Sequence, residues 1–153
     1  MKFSLLIPEL ILFFGALSIL ILDIFFNKKN QNFVYFAHFL ALAICGLALS
    51  FAVKSFGSQE TSFGDMFNSK AIISFTKCII ILLLVVIILI SVRFVFSLEK
   101  YSSEFLALMM IATVGGLIMV SSNDLLLFYL GLELQALSLY LLASFNVKSA
   151  KSS

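Results

Sequence analysis

Hydrophobic and polar positions in this chain come in blocks, with long apolar runs separated by short polar breaks. Five runs approach or reach the roughly 20 apolar residues that a helix needs to cross hydrocarbon. They extend from about Leu5 to Phe26, Phe33 to Val53, Phe75 to Val92, Phe105 to Val120 and Leu125 to Phe145. The plainest is IIILLLVVIILI, residues 79–90. Between the runs lie NKKNQN (27–32), KSFGSQETSFGDMFNSK (54–70), SLEKYSSE (97–104) and SSND (121–124). The pattern predicts an all-α integral membrane protein with about five transmembrane helices in a single membrane domain. The last break is so short that helices four and five must form an antiparallel pair. Asn123 or Asp124 is placed to cap the fifth helix.

Composition narrows the function classes. The 153 residues are 62% hydrophobic and 12% charged, and the mean hydropathy is +1.16, far from the mixture of a soluble domain. Seven Gly and one Pro leave no room for a flexible linker. The net charge of +2 is scattered, with no basic cluster of the kind that binds nucleic acid. Cys45 and Cys78 fall inside apolar spans and are expected to pack as small hydrophobes. No Gly-rich phosphate loop, clustered His/Cys set or His placed against a nucleophile appears, so neither a bound cofactor nor a metal is expected in this chain.

The first run carries Pro8, Glu9 and Asp23 and lacks an A-x-A site. It is therefore expected to be a retained helix rather than a cleaved leader. With the N-terminus outside, Lys28, Lys29, Arg93, Lys100, Lys148 and Lys151 fall inside, against Lys2, Lys54, Lys70 and Lys77 outside. That bias favours an outside N-terminus and an inside C-terminus. Glu9, Asp23, Lys54 and Lys77 lie near the ends of their spans and are expected to reach the interface, the lysines by snorkelling. His38, early in the second span, is expected to be hydrogen-bonded or interfacial.

Glu133 differs because it lies in the middle of its run, in LLLFYLGLELQALSLY (125–140). A charge at that depth costs about 2.5–3.5 kcal/mol on insertion scales and is by default a functional feature. At about 100° per residue, Tyr129, Leu137 and Tyr140 fall within about 40° of Glu133, whereas Gly131, Gln135 and Ser138 cluster on the opposite side. The first group suits a hydrogen-bonded proton path through Glu133, Tyr129 and Tyr140. The second suits close approach of a neighbouring helix.

The run EFLALMMIATVGGLIMVSSNDLLLFYLGLELQALSLYLLASF (104–145) resembles subunit N of the proton-translocating NADH-quinone oxidoreductases, respiratory complex I. LIPELILFFGALSILILDIFF (6–26) looks like the first helix of that subunit, and NVKSAKSS (146–153) resembles the loop after its fifth helix. Gly-Leu-Glu-Leu at 131–134 is closer to subunit N than to subunits L and M, which favour Trp before the glutamate.

The resemblance implies the N-terminal portion of an antiporter-like inverted-repeat subunit. Residues 1–96 would hold three leading helices, and 104–153 the first two helices of a truncated first repeat. It gives Glu133 a role beside a buried lysine on a later, broken helix, where the carboxylate stabilises the protonated amine and takes part in proton transfer. A nearby carboxylate favours a lysine's charged form and desolvation disfavours it, so a change in their separation loads or releases a proton. The resemblance further implies flavin, iron–sulfur clusters and quinone in other subunits and none here. The expected partners are the bilayer, the other membrane-arm subunits, and the missing C-terminal helices as a longer chain or a second protein. The expected location is a bacterial inner membrane. Two other readings are part of a multi-subunit cation/proton antiporter, and a small non-catalytic membrane protein that associates through its fifth helix.

Overall fold

The computed structural model describes residues 6–25, 31–54, 60–62, 67–69, 71–97 and 102–150. Five helices carry the fold: α1 (Ile7–Phe25), α2 (Gln31–Lys54), α3 (Ala71–Ser97), α4 (Ser102–Ser121) and α5 (Leu125–Ala150). Each is long and apolar enough to cross a membrane, and the chain is an integral membrane protein. Within a span every backbone polar group is satisfied along the helix itself, which is why apolar runs of this length fold this way in lipid. Hydroxyls inside the spans follow the same rule. Ser18 donates to the Gly15 carbonyl at 2.7 Å, Thr113 to Met109 at 2.9 Å and Ser138 to Leu134 at 2.8 Å.

α4 is the hub, packing against α1, α3 and α5, while α2 fills the space between α1 and α3. α2 can do so because Ala37, Ala41, Cys45, Ala48 and Ala52, spaced three or four residues apart, form a buried stripe of small side chains. Small residues let helix backbones approach closely where no hydrophobic effect drives them together. On α1 the matching gap is Gly15. A Cβ there would lie 2.5 Å from Ile44 Cγ2, so the glycine makes the space that Ile44 fills. Leu12, Ile19, Ile81, Ile88, Leu106, Met110 and Leu117 complete the core. Phe14, Phe39, Leu82 and Ile90 are among the many large apolar side chains exposed on the outer surface, as expected where lipid takes the place of water.

The element ends differ from the sequence reading in three places. α3 runs from Ala71 to Ser97, about a turn beyond the expected span at each end. At 27 residues it is about 40 Å long, more than the hydrocarbon thickness. The polar stretch 54–70 is not wholly a loop, because β1 (Glu60–Ser62) pairs antiparallel with β2 (Phe67–Ser69), Thr61 facing Asn68. β2 also touches α3 and α4, which gives the hairpin a surface to lie on. The C-terminal tail, read as a loop from Asn146, continues α5 to Ala150. Lys148 and Ala150 are good helix formers, and no Gly or Pro interrupts the run. The expected breaks at 27–32 and 97–104 lie partly outside the described residues.

Candidate functional site

α5 begins at the short link expected from SSND. Asp124 is its N-cap residue, its carbonyl accepting from Phe128 N–H at 3.0 Å. Glu133 is then the ninth residue of the helix, about 12 Å from its start. Its side chain is exposed on the outer face of the bundle. Tyr129, Leu137 and Tyr140 flank it with 60%, 56% and 72% of their surfaces exposed. Among the described residues Glu133 makes no hydrogen bond or ion pair, and it does not touch Tyr129 or Tyr140 through one.

The opposite face of α5 is sealed against α4. A Cβ on Gly131 would meet the Gly115 carbonyl oxygen at 2.9 Å and Met119 N at 3.0 Å. A Cβ on Gly115 would meet Gly131 O and Gln135 N, both at 2.7 Å. Two glycines thus bring the backbones into direct contact. Ser138 is buried on the same side and Gln135 half-buried. Further along, Phe105 on α4 stacks edge-on with Phe94 of α3 at 5.3 Å and with Phe145 of α5 at 6.0 Å. Since α5 packs chiefly on α4, the placement of Glu133 is inherited from α4.

α4 is in turn held by charged residues of α1 at both ends. Glu9, Asp23 and Lys77 do not turn outward as expected, but are 4%, 6% and 6% exposed between the helices. The reason is that each finds a polar partner there. Lys77 Nζ lies 2.6 Å from Glu9 Oε1, and Ser121 Oγ, which also donates to the Leu117 carbonyl at 2.7 Å, lies 3.2 Å from the same oxygen. At the other end Ser103 Oγ donates to Asp23 Oδ1 at 3.1 Å. The polarity suits the helix dipole. Asp23 sits at the N-terminal end of α4, where a carboxylate is favoured, and the carboxylate at the C-terminal end, Glu9, is accompanied by a cation. Lys54, by contrast, is exposed, with its Nζ 5.5 Å from the Phe51 ring centroid. His38 is buried, with Nδ1 3.1 Å from the Val34 carbonyl oxygen.

Comparison with known proteins shows what the chain is similar to. No family model matches it. It is 35% identical over 151 residues to NADH-quinone oxidoreductase subunit N of Maricaulis maris (strain MCS10), covering 98% of this chain and 31% of that protein. It is 34% identical over 145 residues to NADH-quinone oxidoreductase subunit N 1 of Rhizobium meliloti (strain 1021), covering 95% and 29%. Against subunit N of Rhodobacter capsulatus it is 31% identical over 152 residues, covering 99% and 31%. The chain spans about a third of the length of the curated relatives it matches. Along nearly its whole length, it is thus homologous to part of NADH-quinone oxidoreductase subunit N.

Proposed function

We propose that this chain serves as the N-terminal portion of a membrane-arm subunit of a proton-translocating NADH-quinone oxidoreductase. Electron transfer from NADH to quinone would take place in other subunits, which hold the flavin, iron–sulfur clusters and quinone. This chain is a non-redox part of the translocase. The observation that carries the reading is the similarity to subunit N along nearly the whole chain, with Glu133 at mid-depth on a face the other four helices leave uncovered. A carboxylate at that depth cannot snorkel, so it calls for a protein neighbour or a water-filled path.

The neighbour proposed for that face is the set of following helices, in a longer chain or a second protein, with a buried lysine opposite Glu133 and Tyr129 and Tyr140 along the path. Other membrane-arm subunits complete the assembly. Its membrane is a bacterial inner (plasma) membrane, with the N-terminus of this chain outside and the C-terminus cytoplasmic. Glu133→Gln in the complete subunit is expected to lower proton pumping severalfold while leaving assembly near normal. Pumping and quinone reduction both unchanged in reconstituted vesicles would remove Glu133 from the path. The exposure of the same face also favours a second reading, self-association of a small membrane protein through α5. That reading expects a discrete oligomer of the isolated chain in detergent.

A further inference from the structure

We propose that Glu9 and Lys77 form a second proton-binding site in this membrane domain, with Glu9 Oε2 as the atom that takes the proton. The two oxygens of this carboxylate are in unlike surroundings. Oε1 lies 2.6 Å from the Lys77 ammonium and 3.2 Å from Ser121 Oγ, whose single proton is shared between this oxygen and the Leu117 carbonyl at 2.7 Å. Oε2 is buried and has no hydrogen-bond partner among the described residues. An ionised carboxylate offers about four acceptor positions, and leaving one oxygen bare inside a protein is unfavourable. A proton on Oε2 removes that charge while Oε1, now a carbonyl oxygen, still faces the Lys77 ammonium and the shared Ser121 hydroxyl. The site can therefore change charge without rearranging its hydrogen bonds.

The charge balance closes within the site. With Glu9 ionised, the pair is neutral; with Glu9 protonated, one positive charge remains on Lys77. That cation sits beside the last residue of α4, Ser121, where a helix C-terminus favours positive charge. The proton comes from water and returns to it, and no other reactant is needed. Access is short, because Glu9 is the third residue of α1 and Ser121 closes α4. The β1–β2 hairpin, which touches α3 and α4, lies at this end. Of the other charged groups there, α2 supplies Lys54, exposed over the Phe51 ring, and the α4–α5 link supplies Asp124. α4 presents Ser121 and no charge to the pair. The site is distinct from Glu133, which lies about 12 Å along α5, and does not depend on what chemistry the larger assembly performs.

The test is infrared spectroscopy of the full chain in lipid nanodiscs, titrated from alkaline to acid. A carboxylic-acid carbonyl band is expected that is lost in Glu9→Gln and retained in Glu133→Gln. Lys77→Met, which leaves Glu9 buried without its cation, is expected to move the band's frequency and the course of its appearance. Ser121→Ala removes a hydrogen bond and no charge, and is expected to keep the band at a shifted frequency. A spectrum that Glu9→Gln leaves unchanged throughout the titration would overturn the assignment. If Glu9→Gln does not fold, a band that neither Lys77→Met nor Ser121→Ala moves would overturn it equally.

Discussion

Lys77→Met is expected to destabilise the bundle by about 3–5 kcal/mol at alkaline pH, the range for removing one partner of a buried ion pair. The loss comes from Glu9, 4% exposed, whose charge is then left in the interior with only the Ser121 hydroxyl on Oε1. The sign with pH follows from the same charge. Where the proposed proton sits on Oε2 the uncompensated charge is gone, and the destabilisation is then expected to shrink. Glu9→Gln combined with Lys77→Met is expected to recover most of the loss, because no unpaired charge remains. Unfolding of the purified chain in mixed detergent, followed at several pH values, measures all three quantities. An unchanged midpoint in Lys77→Met at alkaline pH would show that the pair does not hold α1, α3 and α4 together.

The second large effect is expected at the α4–α5 contact. Gly115→Ala puts a methyl group 2.7 Å from Gly131 O and Gln135 N. Both are backbone atoms, so the two helices must part, at a cost of about 1–3 kcal/mol, typical of overpacking. Gly116 is the control one residue away. Its Cβ would meet only Gln135 Nε2, at 3.7 Å, an ordinary contact, and Gly116→Ala is expected to be neutral or to stabilise by up to about 1 kcal/mol through helix propensity. The comparison is informative because helix propensity changes equally in the two variants. Equal behaviour of the two in the same unfolding measurement would mean that α4 and α5 do not meet at Gly115 and Gly131.

The membrane spans were legible because their signal is simple. Runs such as residues 79–90 contain nothing that a soluble strand or loop would need. Glu133 was legible for the converse reason, as a lone carboxylate at mid-run, and a single-helix wheel is enough to separate it from Gly131. The Glu9–Lys77 pair is not legible from either helix alone, because each charge on its own looks like an ordinary end-of-span residue. The signal was nevertheless present. Counting the spans places the start of α1, the start of α3 and the end of α4 on one side of the membrane, so Glu9, Lys77 and Ser121 share a level. What no single helix reveals is that the three side chains turn inward, since that depends on how α1 and α3 flank α4. The hairpin at 60–69 escaped because its two three-residue strands are too short and too polar for an alternating pattern to stand out. The exposure of Glu133 likewise depends on which faces α4 covers.

The most direct measurement of the central claim is native electrophoresis of membranes from the source organism, probed with an antibody to residues 54–70. The account predicts that the antigen co-migrates with NADH-quinone oxidoreductase activity, in a complex many times larger than 17.0 kDa. An antigen that runs wholly apart from that activity, as the free chain or a small oligomer of it, would contradict membership of the respiratory assembly.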